Sequence, residues 1–168
     1  RKLGRSDALV EKARKETGDI LANVSEGLFL LDSDLVIGSQ HSESLKNLFN
    51  QERFAGQNFF DLLKPLVTEK TLGIAKDYAE VLFSRRVNES LIKNLNPLDR
   101  VELSLATESA EFDIRYFRFQ FARVVEGGTL RYLLVTVKDI TAQVQLEEEL
   151  QAANERTARE IDMLLAIM

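Results

Sequence analysis

The 168 residues contain no cysteine, which removes disulfides, thiolate nucleophiles and thiolate metal sites together and fits a reducing compartment. Cytoplasmic location is the resulting expectation, with membrane anchoring left to other parts of a longer parent. Histidine is nearly absent too. The single His41 has no second His or Cys to complete a zinc site, and at the expected start of a small helix it reads as a capping or surface residue. No basic run breaks the balance of 22 Lys+Arg against 27 Asp+Glu, a net charge of −5, so nucleic acid is not an expected partner. Apolar runs such as "LFLL" and "YLLVTV" fall far short of the roughly 20 residues of a membrane-spanning helix, so no membrane contact is expected. No signal-peptide pattern opens the chain. Serines are plentiful but unpaired with any evident base, and Gly127-Gly128 suits a hairpin better than a phosphate loop. No catalytic residues, metal site or enzymatic activity are expected in this segment.

What is present is one domain's worth of apolar residues, 45% of the chain, with helical extensions at both ends. Residues 1–24 read as an N-terminal amphipathic helix. Ser6 and Asp7 can cap it, and Val10, Ala13, Thr17, Ile20 and Val24 follow a 3-4 spacing that lines one seam. "GLFLL", the turn Asp32-Ser33-Asp34 and "LVIGS" form a hairpin. Short helices are expected over Gln40 to Asn50, before Pro65, over Thr71 to Arg86 and over Asn88 to Leu95. Three strands follow: "RVELSLA", the run Phe112 to Val125, and Leu130 to Val137 after the Gly-Gly turn. In the middle strand Phe112, Ile114 and Tyr116 share one parity and Phe117, Phe119 and Phe121 the other, so a bulge or sharp twist near Tyr116 is expected. Strands separated from a block of helices imply an α+β fold, an antiparallel sheet with helices on one side.

From Ala142 the pattern is helical to the end. Leu146, Leu150, Ala153, Thr157, Leu164 and Ile167 occupy heptad a and d positions, with Glu160 an exception that a shift to Ile161 and Met168 repairs. A helix of ~40 Å at 1.5 Å per residue exceeds what a small body can cover. Its seam calls for a second chain, most simply in a parallel homodimer. Because the sequence stops inside this pattern, it reads as a piece of a longer protein whose output domain follows Met168.

The hairpin "EGLFLLDSDLVIGS", the helices after it, the three-strand close and "VKDIT" before a helix together resemble a PAS domain. The resemblance spans about Ile20 to Thr141, and the domain is bounded at 25–141, with 142–168 as a coiled-coil signalling helix. It implies a five-stranded sheet of order 2-1-5-4-3, with short helices on one face. It also implies a sensory and dimerisation module in a bacterial signalling protein, regulating a histidine kinase or, next, a cyclic-dinucleotide enzyme or chemoreceptor. A ligand-free interaction module is the alternative. By resemblance Asp139, Ile140 and Thr141 become the signal relay, with Thr141 as N-cap and Asp139 near the positive end of the helix. Phe29, Leu31, Leu103, Phe117, Phe119, Phe121, Leu133 and Val135 would line a ligand pocket or fill the core, and filling the core is what such a sheet requires. Arg115, Arg118 and Arg131 are expected on the solvent or dimer face; one turned inward would favour a carboxylate ligand. The resemblance also bears on cofactors. Without Cys there is no flavin adduct or chromophore attachment, and without His on "TLGIAKDYAEVLFSRR" no haem is expected, which leaves an unidentified small molecule as the candidate ligand.

Overall fold

Asp32 sets the first hairpin, its Oδ1 accepting from the N–H of Asp34 at 2.9 Å and of Val36 at 3.0 Å while Leu35 takes a left-handed conformation, φ 64°. The turn joins strand β1 (Gly27–Leu31) to β2 (Ile37–His41). The computed structural model describes residues 26–84, 88–107, 109 and 111–168. The N-terminal helix, with seam residues Val10, Ala13 and Ile20, lies outside the described residues.

Among the described residues four helices lie between β2 and the next strand: α1 (Ser44–Phe49), α2 (Phe59–Leu63), α3 (Glu69–Phe83) and α4 (Glu89–Lys93). Three begin at a side chain that answers an orphan N–H of the first turn. Asn58 Oδ1 accepts from Phe60 and Asp61, Thr68 Oγ1 from Thr71, and Asn88 Oδ1 from Ser90. Gln40 and His41, expected in the first helix, instead complete β2, and α1 begins only at Ser44. Pairing with β1 prevails there, since Phe29 lies opposite His41. The His41 ring meets Phe54 edge-on at 5.7 Å.

Strands β3 (Val101–Ala106), β4 (Phe112–Glu126) and β5 (Thr129–Asp139) complete one antiparallel sheet of order β2-β1-β5-β4-β3. Gly127 and Gly128, at φ 56° and 76°, make the two-residue turn between Glu126 and Thr129. The helices cover one sheet face, where Phe29, Leu31, Leu103, Phe117, Phe119, Leu133 and Val135 close on Phe49, Phe54, Phe59 and Leu62. Rings meet edge to face, Phe49 with Phe117 at 5.4 Å and Phe59 with Phe119 at 5.7 Å. Gly27 makes room for α1: a Cβ there would lie 2.6 Å from Leu45 Cδ2.

The expected bulge near Tyr116 does not form. Pairing with β3 runs without a shift from Phe112 to Phe117, and the register of β4 changes only between Val124 and Val125. Strand alternation therefore continues unbroken, leaving Phe112 and Ile114 on the outer face, 68% and 53% exposed. The two apolar parities belong to two sides of one strand. Helix α5 (Thr141–Ile167) then leaves the body: Thr141 and Val144 are buried, while Leu146 and Leu150 are 66% and 61% exposed.

Candidate functional site

The exit from β5 into α5 is held by one carboxylate. Asp139 Oδ2 accepts from Arg115 Nε at 3.0 Å and Nη2 at 2.6 Å, so both guanidinium contacts come from β4. Its Oδ1 accepts from the Thr141 N–H at 2.9 Å and Oγ1 at 2.5 Å, the first residue of α5. Thr141 Oγ1 in turn accepts from the Tyr116 N–H at 2.9 Å, and the Ile140 N–H donates to the Tyr116 carbonyl at 2.8 Å. Asp139 thereby ties the start of the helix to β4, two strand positions beyond the packed core.

Burial alone would raise the Asp139 carboxyl. The hydrogen bonds from Thr141 and the Arg115 guanidinium outweigh it and hold the group below the usual carboxylate range. A second tie lies in the next turn, where Arg100 Nη1 donates to Glu147 Oε2 at 2.9 Å. Hydrogen bonds from Gln143 and Arg100 lower the Glu147 carboxyl as well.

Two details depart from the sequence expectation. Thr141 does not cap α5: Ile140 occupies the cap position without a side-chain bond, and the Thr141 hydroxyl turns back to Asp139 and Tyr116. The reason is competition, because a charged acceptor and a strand N–H both lie within reach of that hydroxyl. Arg115 is not on the outer face with Arg118. It shares the parity of Phe117 and turns to the Asp139 carboxylate, so the carboxylate it meets belongs to the chain itself. Arg118 lies 3.5 Å from Asp99, and Arg131 is exposed. The Arg115–Asp139 pairing had one sequence signal, opposite charges diagonally placed on neighbouring strands, which is visible only once the register is known.

Of the other expected site residues, Phe29, Leu31, Leu103, Phe117, Phe119, Leu133 and Val135 sit together in the buried inner-face cluster, and Phe121 reaches from it to the β4 margin. The α5 residues Leu146, Leu150, Ala153 and Leu164 are exposed along the helix. Sequence reasoning missed Arg123, whose Nε donates to the Leu82 carbonyl at 2.7 Å and whose Nη2 donates to that of Ser84 at 3.1 Å, capping the C-terminus of α3. Among the described residues no helix is long and apolar enough to cross a membrane, and no group of three or more His, Cys, Asp or Glu is placed to hold a metal.

A five-stranded antiparallel sheet of order 2-1-5-4-3, with short helices on one face and a helix leaving the last strand, is the architecture of a PAS domain. The RNA-binding light-oxygen-voltage receptor superposes with a TM-score of 0.58 at 13% identity, over 92% of this chain and 39% of that one. The N-terminal domain of a diguanylate cyclase with PAS/PAC sensor from Marinobacter aquaeolei gives 0.50 at 8% identity, over 70% and 97%. The PAS domain of an HTR-like protein from Haloarcula marismortui gives 0.45 at 12% identity, over 83% and 100%. No protein-family model and no curated protein matches the sequence. At these identities what is shared is the fold: the chain has the PAS fold.

Proposed function

We propose that this chain is a sensory relay module, homodimeric through α5, which passes a change in its body to an output domain beyond Met168. The observation that carries the reading is the double engagement of Asp139. Its two oxygens serve different elements, Arg115 of β4 and Thr141 of α5, so a shift of β4 against β5 alters the direction in which α5 leaves. In this reading the cue acts on the inner face, where Phe117, Phe119, Phe121, Leu133 and Val135 lie on those same two strands, alongside Phe29, Leu31 and Leu103. A core packed as a solid transmits such a shift to the strand ends.

The dimer rests on α5. Its 27 residues extend ~40 Å at 1.5 Å per residue, and exposed Leu146, Leu150, Ile161, Leu164 and Ile167 are the groups a second helix would bury. The module regulates a histidine kinase in the cytoplasm, catalyses nothing itself, and works without flavin or haem. An unremarkable visible absorption spectrum of the native chain is the expected result for the last point. Sedimentation tests the dimer: the wild-type chain sediments as a dimer and Leu150→Glu shifts it towards monomer. A wild-type chain that is monomeric at high micromolar concentration contradicts the reading.

A further inference from the structure

Beyond Phe117, β4 has no strand among the described residues on the side away from β5, and the segment 96–99 takes the place of one only in part. The Phe119 N–H donates to the Leu98 carbonyl at 2.8 Å, Asn96 Nδ2 donates to the Phe119 carbonyl at 2.6 Å, and the Arg123 N–H donates to Glu89 Oε1 at 3.1 Å. Residue 121 lies between these closed positions. Its N–H and C=O point the same way as those of Phe119, away from β5, because the bond from the Ile140 N–H to the Tyr116 carbonyl fixes the even-numbered residues as those bonded to β5. No protein group among the described residues answers either atom of Phe121, although its side chain is buried at 7% exposure. An unpaired N–H and C=O of this kind is what the open edge of a sheet offers to a further binding partner.

A half-enclosed cavity of about 240 Å³ opens at this point, with Phe121, Ala122 and Leu134 on one side and Lys93, Asp99 and Tyr78 around it. It is smaller than the roughly 300–1,000 Å³ of drug-sized sites, which limits it to a ligand of few atoms. Its chemistry is two-signed. Lys93 has no ion pair among the described residues, and the well-exposed Asp99 carboxylate meets Arg118 Nε at 3.5 Å, the same nitrogen that reaches the Asp99 carbonyl at 3.4 Å. Tyr78 gives its hydroxyl proton to the Ile92 carbonyl at 3.2 Å; burial raises its pKa, so it remains a neutral phenol with lone pairs to accept.

We propose that this cavity is a binding site for a free α-amino acid with a short aliphatic side chain. An extended edge residue offers one N–H and one C=O on the same side, which is the complement of a single amino-acid unit. The ligand carboxylate takes the Phe121 N–H and the Lys93 ammonium. Its ammonium takes the Phe121 carbonyl and the Asp99 carboxylate, and its side chain lies on Ala122 and Leu134. The site sits at the free edge of β4 rather than in the inner-face cluster, and it stands independently of the relay and the dimer.

The test is titration of the uniformly ¹⁵N-labelled chain with L-leucine, L-leucinamide and 4-methylpentanoate, followed by amide chemical shifts. L-Leucine should produce saturable shifts centred on the Phe121 and Ala122 amides, while the analogues lacking the carboxylate or the amine should produce none at equal concentration. Lys93→Gln and Asp99→Asn should each weaken L-leucine binding about tenfold or more with an unchanged melting temperature. Absence of shifts with L-leucine up to tens of millimolar, equal response to all three compounds, or unaltered affinity in both variants overturns the assignment.

Discussion

Asp139 is the residue on which the exit geometry turns, and its chemistry predicts a pH dependence. Its native pKa is depressed, so the unfolded chain binds the proton more readily than the folded one. The stability it contributes is therefore complete above the ordinary carboxylate value of 3.8 and is lost as pH falls through the lower native value. Urea denaturation of the wild type and Asp139→Asn should show the gap between them narrowing below about pH 4. Asp139→Ala at neutral pH should cost about 1–3 kcal/mol, the range for losing charge-assisted bonds and leaving the Thr141 N–H without its acceptor. Phe119, fully buried between Phe49, Phe59 and Phe117, sets the opposite extreme. Phe119→Asp places an unpaired charge there and should abolish cooperative unfolding by circular dichroism.

At the scale of elements, turns and caps do much of the specifying. Asn58 both starts α2 and reaches the Asp34 carbonyl at 3.2 Å, so Asn58→Ala should lower stability by about 1 kcal/mol in thermal or urea melts. Gly27→Val pushes against Leu45 and Val137 at the point where β1 and α1 meet, and a loss of about 1–3 kcal/mol is expected. The strands and the longer helices were legible because their apolar periods are long and regular; the order of the sheet came from the resemblance. The β2–α1 boundary was not legible, because "GSQHSES" has no apolar period and only pairing with β1 settles it. The middle strand misled for a physical reason. Phe112 and Ile114 lie on the face of β4 turned away from the helices, where an apolar residue need not be buried.

At the scale of the whole molecule, an α+β body ends in a helix with only its first turn buried. The pocket-or-core choice for the inner face was open in the sequence, since period-2 aromatics serve both, and the ring contacts show how closely they mesh. Asp139, Ile140 and Thr141 stood out because Asp-Ile-Thr lies at the end of a strand before a helix; Arg115, which pairs with Asp139, emerged only with the fold.

The absence of cysteine makes one measurement especially direct, because a single introduced thiol is a unique spin-label site. Labels at Glu148→Cys and, separately, Asp162→Cys lie on the side of α5 away from its apolar seam. Double electron–electron resonance should give a single narrow interchain distance at each, closely similar between the two sites as in a parallel pair, and Asp139→Ala should broaden or shift both distributions. No interchain signal, or distributions that Asp139→Ala leaves unchanged, would contradict a relay through the α5 dimer.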